Sequence, residues 1–131
     1  MNVRVPKWAV KPATLRVNGR SVAASSFPGT FLKISRRWQE GDTVAVTLPK
    51  SLRFESVDPQ TPELAALMFG PILLVALADG EVNLHGDRAR PAEWVHQQGG
   101  ASLTFRTDGG RVFRPFYLLR DERYTTYCRV E

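Results

Sequence analysis

The chain has 131 residues, of which 43% are hydrophobic and 24% are charged, with a net charge of +5. This length suits one domain with a real core, and the composition excludes a disordered tail or a fibrous repeat. The single cysteine, Cys128, excludes disulfides within the chain and metal sites built from several cysteines. The longest apolar run, residues 72–78, is too short to span a membrane, and the first ten residues contain no signal-peptide stretch. We expect a soluble globular domain with no membrane partner.

The positive charge does not by itself indicate nucleic-acid binding. The basic residues are scattered among the predicted strands, and the densest group is Lys33, Arg36 and Arg37. Nucleic-acid-binding domains usually carry their basic residues as a stripe on one face or along a helix. Solvated faces and ion pairs explain the scattered pattern, so we expect no nucleic-acid partner.

Alternation of polar and apolar residues dominates the chain. It is found at residues 2–5, 15–17, 31–35, 43–48 and 102–106. A period of two predicts strands with one face on a core and the other in water. Asn18 and Gly19 predict a tight hairpin turn, and residues 40–42 and 108–110 supply glycine at two further reversals.

The only candidate helix begins at Thr61 and Pro62, where a cap and a first-turn proline precede an apolar run. Gly70 and Pro71 interrupt that run, so we favour a strand with a break there and keep a short helical turn near 61–68 as the alternative. The predicted fold is all-β, an antiparallel β-sandwich of jelly-roll type, as a single domain over 1–131. The polar stretch 79–91 is either a long loop or a boundary between two β units.

The sequence contains no recognisable catalytic motif. His85 and His96 have no partner at metal-ligand spacing, and Cys128 is expected to be a small, partly buried hydrophobic residue. Most acidic residues fall in predicted turns, where capping and solvation explain them, and no pair stands out as the two carboxylates of a glycosidase. We therefore expect no catalytic residue, no metal site and no cofactor in this chain.

Three aromatic side chains are candidates for carbohydrate contact, because exposed aromatic rings on a β-sandwich can stack against sugars. They are Trp94, Trp38 and Tyr117. Trp94 is the strongest candidate, since it follows the polar loop. The competing interpretation is that the tryptophans belong to the core, with the indole N–H bonded to a protein acceptor.

Four motifs occur in a fixed order along the chain. They are VRVPKWA with LRVNGRSV, then FPGTFLKISRRWQEGDTVAVTLP, then AALMFGPILLVAL, and finally FRPFYLLRDERYTTY. This order resembles the C-terminal part of glycoside hydrolase family 127, the β-L-arabinofuranosidase-like bacterial family formerly called domain of unknown function 1680. The matching positions are Arg36, Trp38, Gly41, Asp42, Leu48, Pro49, Gly70, Pro71, Pro115, Phe116, Tyr117, Asp121, Arg123, Tyr124 and Tyr127.

The resemblance implies a β-sandwich region that normally accompanies a catalytic (α/α)6 barrel. In that family the barrel carries a cysteine nucleophile and a zinc site of cysteines and a glutamate, which a chain with one cysteine cannot supply. Arg120 stands where the family's closing motif has histidine, so a role of that histidine in a site does not carry over. The chain is then an expressed fragment, the product of a truncated gene or a free-standing relative.

The leading hypothesis is a non-catalytic accessory domain that packs against or flanks the barrel, without glycosidase activity of its own. The alternatives are an autonomous carbohydrate-binding module and an oligomerisation or partner-docking sandwich. The expected partners are accordingly a catalytic barrel domain, a second copy of the chain or a plant-type oligosaccharide. The sugar specificity, the oligomeric state and the cellular location stay open.

Overall fold

The computed structural model describes residues 1–23 and 27–131, and the regular structure in them is almost entirely strand. The chain divides into two compact units, Met1–Ser51 and Leu52–Glu131. Each unit has a hydrophobic core of its own, and the polar stretch 79–91 lies inside the second. In the described part of the chain, no helix has the length and apolar character needed to cross a membrane. The single domain over 1–131 stays a prediction.

The first unit is built from short antiparallel strands. Its described strands are β1 (Asn2–Arg4), β2 (Thr14–Val17), β3 (Arg20–Val22), β4 (Phe31–Lys33) and β5 (Val44–Thr47). Strand β2 lies between β3 and β5, and β1 pairs with β4 in a separate ladder. Asn18 and Gly19 join β2 to β3 with positive φ angles of 51° and 76°, which confirms the predicted hairpin.

Alternation along these strands produces the core of the first unit. Leu15 and Val17 of β2 are buried, whereas Thr14 and Arg16 face solvent. The other buried core residues are Val5, Ala9, Leu32 and Ile34. The strands predicted from alternation over residues 2–5, 15–17, 31–35 and 43–48 are confirmed, with slightly different bounds.

The second unit is one large sheet that curls like half a barrel. Its described strands are β6 (Leu52–Ser56), β7 (Leu64–Phe69), β8 (Ile72–Leu77), β9 (Asn83–Leu84), β10 (Val95–Gln97), β11 (Phe105–Thr107), β12 (Val112–Pro115), β13 (Tyr124–Thr125) and β14 (Tyr127–Val130). Two short 3₁₀ turns, Pro91–Glu93 and Phe116–Leu118, are the helical segments of its described residues. The all-β, antiparallel fold class is confirmed, with one parallel pairing, between β9 and β14.

Residues 61–68 form a turn and a strand. A single hydrogen bond from the Leu64 N–H to the Thr61 carbonyl closes a reverse turn, and β7 follows it immediately. Gly70, at a φ of 57°, and Pro71 then reverse the chain into β8. Because β7 pairs with β6 on one edge and with β8 and β14 on the other, this pairing outweighs the helix propensity of its alanine and leucine residues.

The C-terminal segment fits between two diverging strands. Strands β7 and β8 form a hairpin but pair only near its turn, where residues 67–69 lie opposite residues 72–74. Beyond that point β13 pairs with β8, the chain bends, and β14 pairs with β7. Strand β14 also pairs with β9, which lies in the polar stretch predicted as a loop or boundary. The C-terminal residues are thus a structural part of the sheet.

Aromatic and branched side chains fill the core of the second unit. Phe105 and Phe113 are fully buried, and the ring of Phe105 lies 5.0 Å from that of Phe69. Leu67 and Leu74 are also inaccessible to solvent. Burying one such side chain stabilises a fold by about 1.5–3 kcal/mol, so this cluster supplies much of the driving force for folding.

Candidate functional site

Four large apolar side chains of the second unit are exposed, three of them consecutive in the chain and the fourth in contact with one of those three. Phe116, Tyr117 and Leu118 form a 3₁₀ turn, and each is 45–61% exposed. Tyr124 is 44% exposed, and its ring meets that of Phe116 edge-on at 5.8 Å. We call these four residues the aromatic surface. Exposed apolar residues that cluster in this way mark an interaction site more often than isolated ones do.

The sequence explains why these side chains are lifted out of the core. Pro115 ends β12 with its ring fully buried, and proline cannot donate the hydrogen bond that would continue the ladder. The chain therefore turns at once, and the Leu119 N–H bonds to the Phe116 carbonyl at 3.2 Å. This tight turn directs three consecutive apolar residues away from the sheet.

Charged residues hold the loop that follows the aromatic surface. Glu122 accepts hydrogen bonds from the Arg120 N–H at 2.8 Å and from the Arg114 guanidinium at 3.1 Å. These contacts, the Arg120 bond first, hold the pKa of Glu122 below its usual range, so the carboxylate is ionised at neutral pH. Arg123 pairs with Asp79 across the loop. Ion pairs thus hold the loop that immediately follows the 3₁₀ turn of the aromatic surface.

Trp38 lies in the first unit and is 38% exposed. The Arg36 guanidinium sits 5.2 Å from the centre of its ring and pairs with Asp42 at 3.2 Å. Asp42 also accepts a 2.7 Å hydrogen bond from Asn18, which is the main reason that its pKa is lowered. Arg36 thus both stacks on an aromatic ring and pairs with a carboxylate. These contacts give Arg36, Trp38 and Asp42 a structural role in the first unit.

Trp94, the strongest sequence candidate for sugar stacking, belongs to the core of the second unit. It is 8% exposed, and its ring stacks on Phe54 at 5.7 Å. The indole N–H donates to the Asp87 carbonyl at 3.0 Å, and the backbone of Gly86 lies directly against the ring. With its faces packed in this way, Trp94 cannot serve as an exposed platform. Tyr117 is 61% exposed, so its ring is accessible to a ligand. Sugar binding by Trp38 and Tyr117 stays a prediction.

Two side chains with potential reactivity, Cys128 and His96, are respectively buried and hydrogen-bonded. Cys128 is buried, and this burial raises the pKa of its thiol to about 11, although nearby Arg111 acts in the opposite direction. His96 pairs through Nε2 with Asp108 at 2.9 Å on the surface. Among the described residues, no group of three or more potential ligands is arranged to hold a metal ion.

Sequence reasoning found Tyr117 but missed the rest of the aromatic surface. The signal was present as three consecutive apolar residues after Pro115, where a strand would alternate. It also missed a groove between β9 and the β11–β12 turn, whose lining comes from separate segments. No local pattern connects those segments, so the groove could not be found from sequence.

Comparison with known families places residues 1–50 in the family model described as the middle domain of GH127 β-L-arabinofuranosidase. The matched range coincides with the first compact unit, Met1–Ser51. No curated protein sequence matches the chain.

Solved structures extend the similarity to the whole chain at the level of fold. A GH127 β-L-arabinofuranosidase from Geobacillus stearothermophilus T6 matches with a TM-score of 0.67, 17% identity and 99% of this chain covered. A protein described as a glycoside hydrolase matches with a TM-score of 0.64 and 17% identity over 98% of this chain. A GH127 β-arabinofuranosidase matches with a TM-score of 0.59 and 19% identity over 92% of this chain. The chain spans only 26%, 27% and 23% of these three chains, respectively. It is thus similar to a GH127 middle domain over its first unit, and it has the fold of a region of GH127 enzymes over nearly its whole length.

Proposed function

We propose that this chain is a non-catalytic accessory region of a GH127-type glycoside hydrolase, and that its aromatic surface docks on the catalytic domain of that enzyme. The observation that carries the proposal is the cluster formed by Phe116, Tyr117, Leu118 and Tyr124 in solvent. The family match and the fold similarity support the choice of parent family. The C-terminal position in the parent, which the sequence motifs predict, is part of this proposal.

The occupant of the aromatic surface follows from the size of the similar enzymes. The chain spans about a quarter of their length, and the matched family model is named a middle domain, which implies neighbouring domains in one polypeptide. A neighbouring domain of the same chain covers an apolar surface permanently, and permanent interfaces are the more hydrophobic kind. The exposed aromatic residues fit such an interface, because the buried centre of an interface is enriched in aromatic side chains.

The reactive groups of the chain support a non-catalytic role. A buried thiol with a raised pKa has little thiolate at neutral pH, so Cys128 is a poor nucleophile. Glycosidases of the two-carboxylate type also need a carboxylic acid whose pKa is raised. The carboxyl groups of Asp42, Asp58, Asp87 and Glu122 have lowered pKa values instead, mainly because neighbouring side chains or backbone N–H groups hydrogen-bond to the ionised form.

The docking proposal is tested by mixing the chain with the catalytic domain of a GH127 β-L-arabinofuranosidase prepared without its matching β region. Isothermal titration calorimetry should detect a complex, and the double variant Phe116→Ser/Tyr117→Ser should weaken it by about tenfold or more, as loss of central aromatic contacts usually does. Val57→Ser, at another exposed apolar residue of the second unit, is the matched control and should bind like wild type.

Two results contradict the docking proposal. One is the absence of detectable binding when the wild-type chain is titrated to about 1 mM, the order of effective concentration that a short linker gives two joined domains. The other is equal loss of binding in the double variant and in Val57→Ser. Light scattering of the free chain identifies the competing case, in which the aromatic surface joins two copies of the chain: a dimer that the double variant dissolves would also contradict the proposal.

A further inference from the structure

A groove of about 360 Å³ opens on the second unit, and its lining residues do not include those of the aromatic surface. Its floor contains Leu84, Trp94 and Thr107, all buried, and its rim carries exposed polar groups. The rim is formed by Asn83, His85, Asp108, Gly109 and Arg111. An apolar floor with a few convergent polar groups, at this volume, is the usual form of a small-molecule site.

The walls of the groove are fixed by hydrogen bonds. The Asp108 N–H donates to the Trp94 carbonyl at 3.0 Å, which joins the β11–β12 turn to the tryptophan. Within that turn, the Thr107 N–H donates to the Arg111 carbonyl at 2.9 Å, and the Arg111 N–H donates to Thr107 Oγ1 at 3.0 Å. On the other side, β9 is held by its parallel pairing with β14. The site is therefore pre-formed, which lowers the entropy cost of binding.

The rim offers hydrogen-bond donors and acceptors side by side. Asn83 and His85 are two residues apart on one side of the groove, and in the described part of the chain their side chains have no hydrogen-bond partner. Asp108 uses Oδ1 to contact His96, which leaves Oδ2 available as an acceptor. Arg111 uses Nη1 on the Leu77 carbonyl and retains further N–H donors. Vicinal hydroxyl groups, which both donate and accept, match such a set.

Charge narrows the class of ligand. The guanidinium of Arg111 and the carboxylate of Asp108 both line the groove, so their charges offset one another. A phosphate or a polycarboxylate would meet the Asp108 carboxylate, and an ammonium would meet Arg111. A neutral ring with several hydroxyl groups avoids both conflicts and can place its C–H surface over Leu84 and the edge of Trp94.

We infer that this groove binds one neutral sugar residue, a pentose or hexose ring, through the side chains of Asn83, His85, Asp108 and Arg111. The site is separate from the docking surface in its residues and does not rest on the proposed function. Trp94 takes part as a buried lining residue of the site, with its ring packed against Phe54 and Gly86.

The inference is tested by recording ¹H–¹⁵N NMR spectra of the full chain during titration with L-arabinose, D-xylose and D-galactose, and separately with inorganic phosphate. At least one sugar should give saturable shifts at residues 83–86 and 107–111, with a Kd on the order of millimolar. The variant Asn83→Ala/His85→Ala should weaken this binding by about tenfold or more, because it removes two rim groups that make no contact needed for folding. Glu81→Ala, in the same exposed segment but outside the groove, should bind like wild type.

Three outcomes would overturn the inference. The first is the absence of a saturable shift with any of the three sugars up to about 50 mM, a weaker limit than any specific site would show. The second is a set of shifts centred on Tyr117 and unaffected by Asn83→Ala/His85→Ala, which would place sugar binding on the aromatic surface. The third is saturable binding of phosphate in preference to the sugars. The first and third outcomes do not bear on docking to a catalytic domain, so the two proposals can fail independently.

Discussion

Gly86 is the residue whose substitution tests the placement of Trp94 most sharply. A Cβ atom added at Gly86 would lie 2.3 Å from Cε2 and 2.5 Å from Cδ2 of the Trp94 ring. Carbon atoms in proteins pack at about 3.5–4.0 Å, so the ring or the backbone would have to move by more than about 1 Å. The ring is restrained by its stacking on Phe54 and by the hydrogen bond to Asp87.

We therefore expect Gly86→Ala to lower the free energy of unfolding by about 1–3 kcal/mol, the usual cost of overpacking a core. For a unit of this size that corresponds to a fall in Tm of roughly 4–24 °C. Circular dichroism during heating and urea denaturation would measure both quantities. Gly100→Ala is the matched control, because a Cβ there meets nothing within 4 Å and neither glycine has a left-handed φ.

Equal stability of Gly86→Ala and Gly100→Ala would refute the packing of Trp94 against Gly86. A double-mutant cycle adds a second test. In a Trp94→Leu background the smaller side chain leaves room for the new Cβ, so Gly86→Ala should cost less there than in wild type, with a coupling of about 0.5–3 kcal/mol. Additive effects of the two substitutions would show that the added methyl group does not meet the indole ring.

The remaining predictions concern titratable groups. The native thiol of Cys128 should react with a disulfide reagent roughly a hundredfold more slowly than in urea at pH 8, since its pKa rises from 9.0 to about 11. The same raised pKa contributes stability below pH 9 that is lost as the pH rises toward 11. The free energy of unfolding in urea should therefore exceed that of Cys128→Ala by less and less over that range. A constant difference in this free energy would count against burial of the thiol. Asp42→Asn should destabilise the chain at neutral pH, and the difference from wild type should shrink as the pH falls below about 4, because the lowered pKa of Asp42 stabilises the fold only while the group is ionised. An unchanged difference at pH 3 would mean that the Asn18 and Arg36 contacts do not depend on that charge.

Local patterns predicted much of the fold. The Asn18–Gly19 hairpin and the alternating strands of the first unit are as expected, because both depend on residues close in sequence. The break at Gly70 and Pro71 was also correctly located, although it joins two strands of a hairpin rather than interrupting one. Strand β9 was missed, because its two residues pair in parallel with β14 at the far end of the chain and show no alternation of their own.

The candidate sites depend on contacts that a sequence does not display. Trp94 follows a polar loop, which made it the strongest candidate for sugar contact, but its burial against Gly86 and Phe54 agrees with the competing interpretation of a core tryptophan. Trp38 stacks with Arg36, two residues away in the chain, and this contact is local enough to be read from sequence spacing. The sugar-binding groove combines β9 with the β11–β12 turn, so only the three-dimensional arrangement brings its rim together.

We propose that this chain performs no glycoside hydrolysis on its own and serves a catalytic domain instead. The most direct measurement is the release of L-arabinose from a β-L-arabinofuranoside by the purified chain, with a complete GH127 β-L-arabinofuranosidase as positive control. We predict no release of L-arabinose above background at any concentration of the purified chain. The reasons are that Cys128 is buried with a raised pKa and that the carboxyl groups with shifted pKa values are stabilised in their ionised form. Release that increases in proportion to the concentration of the chain and survives repeated purification would contradict the account.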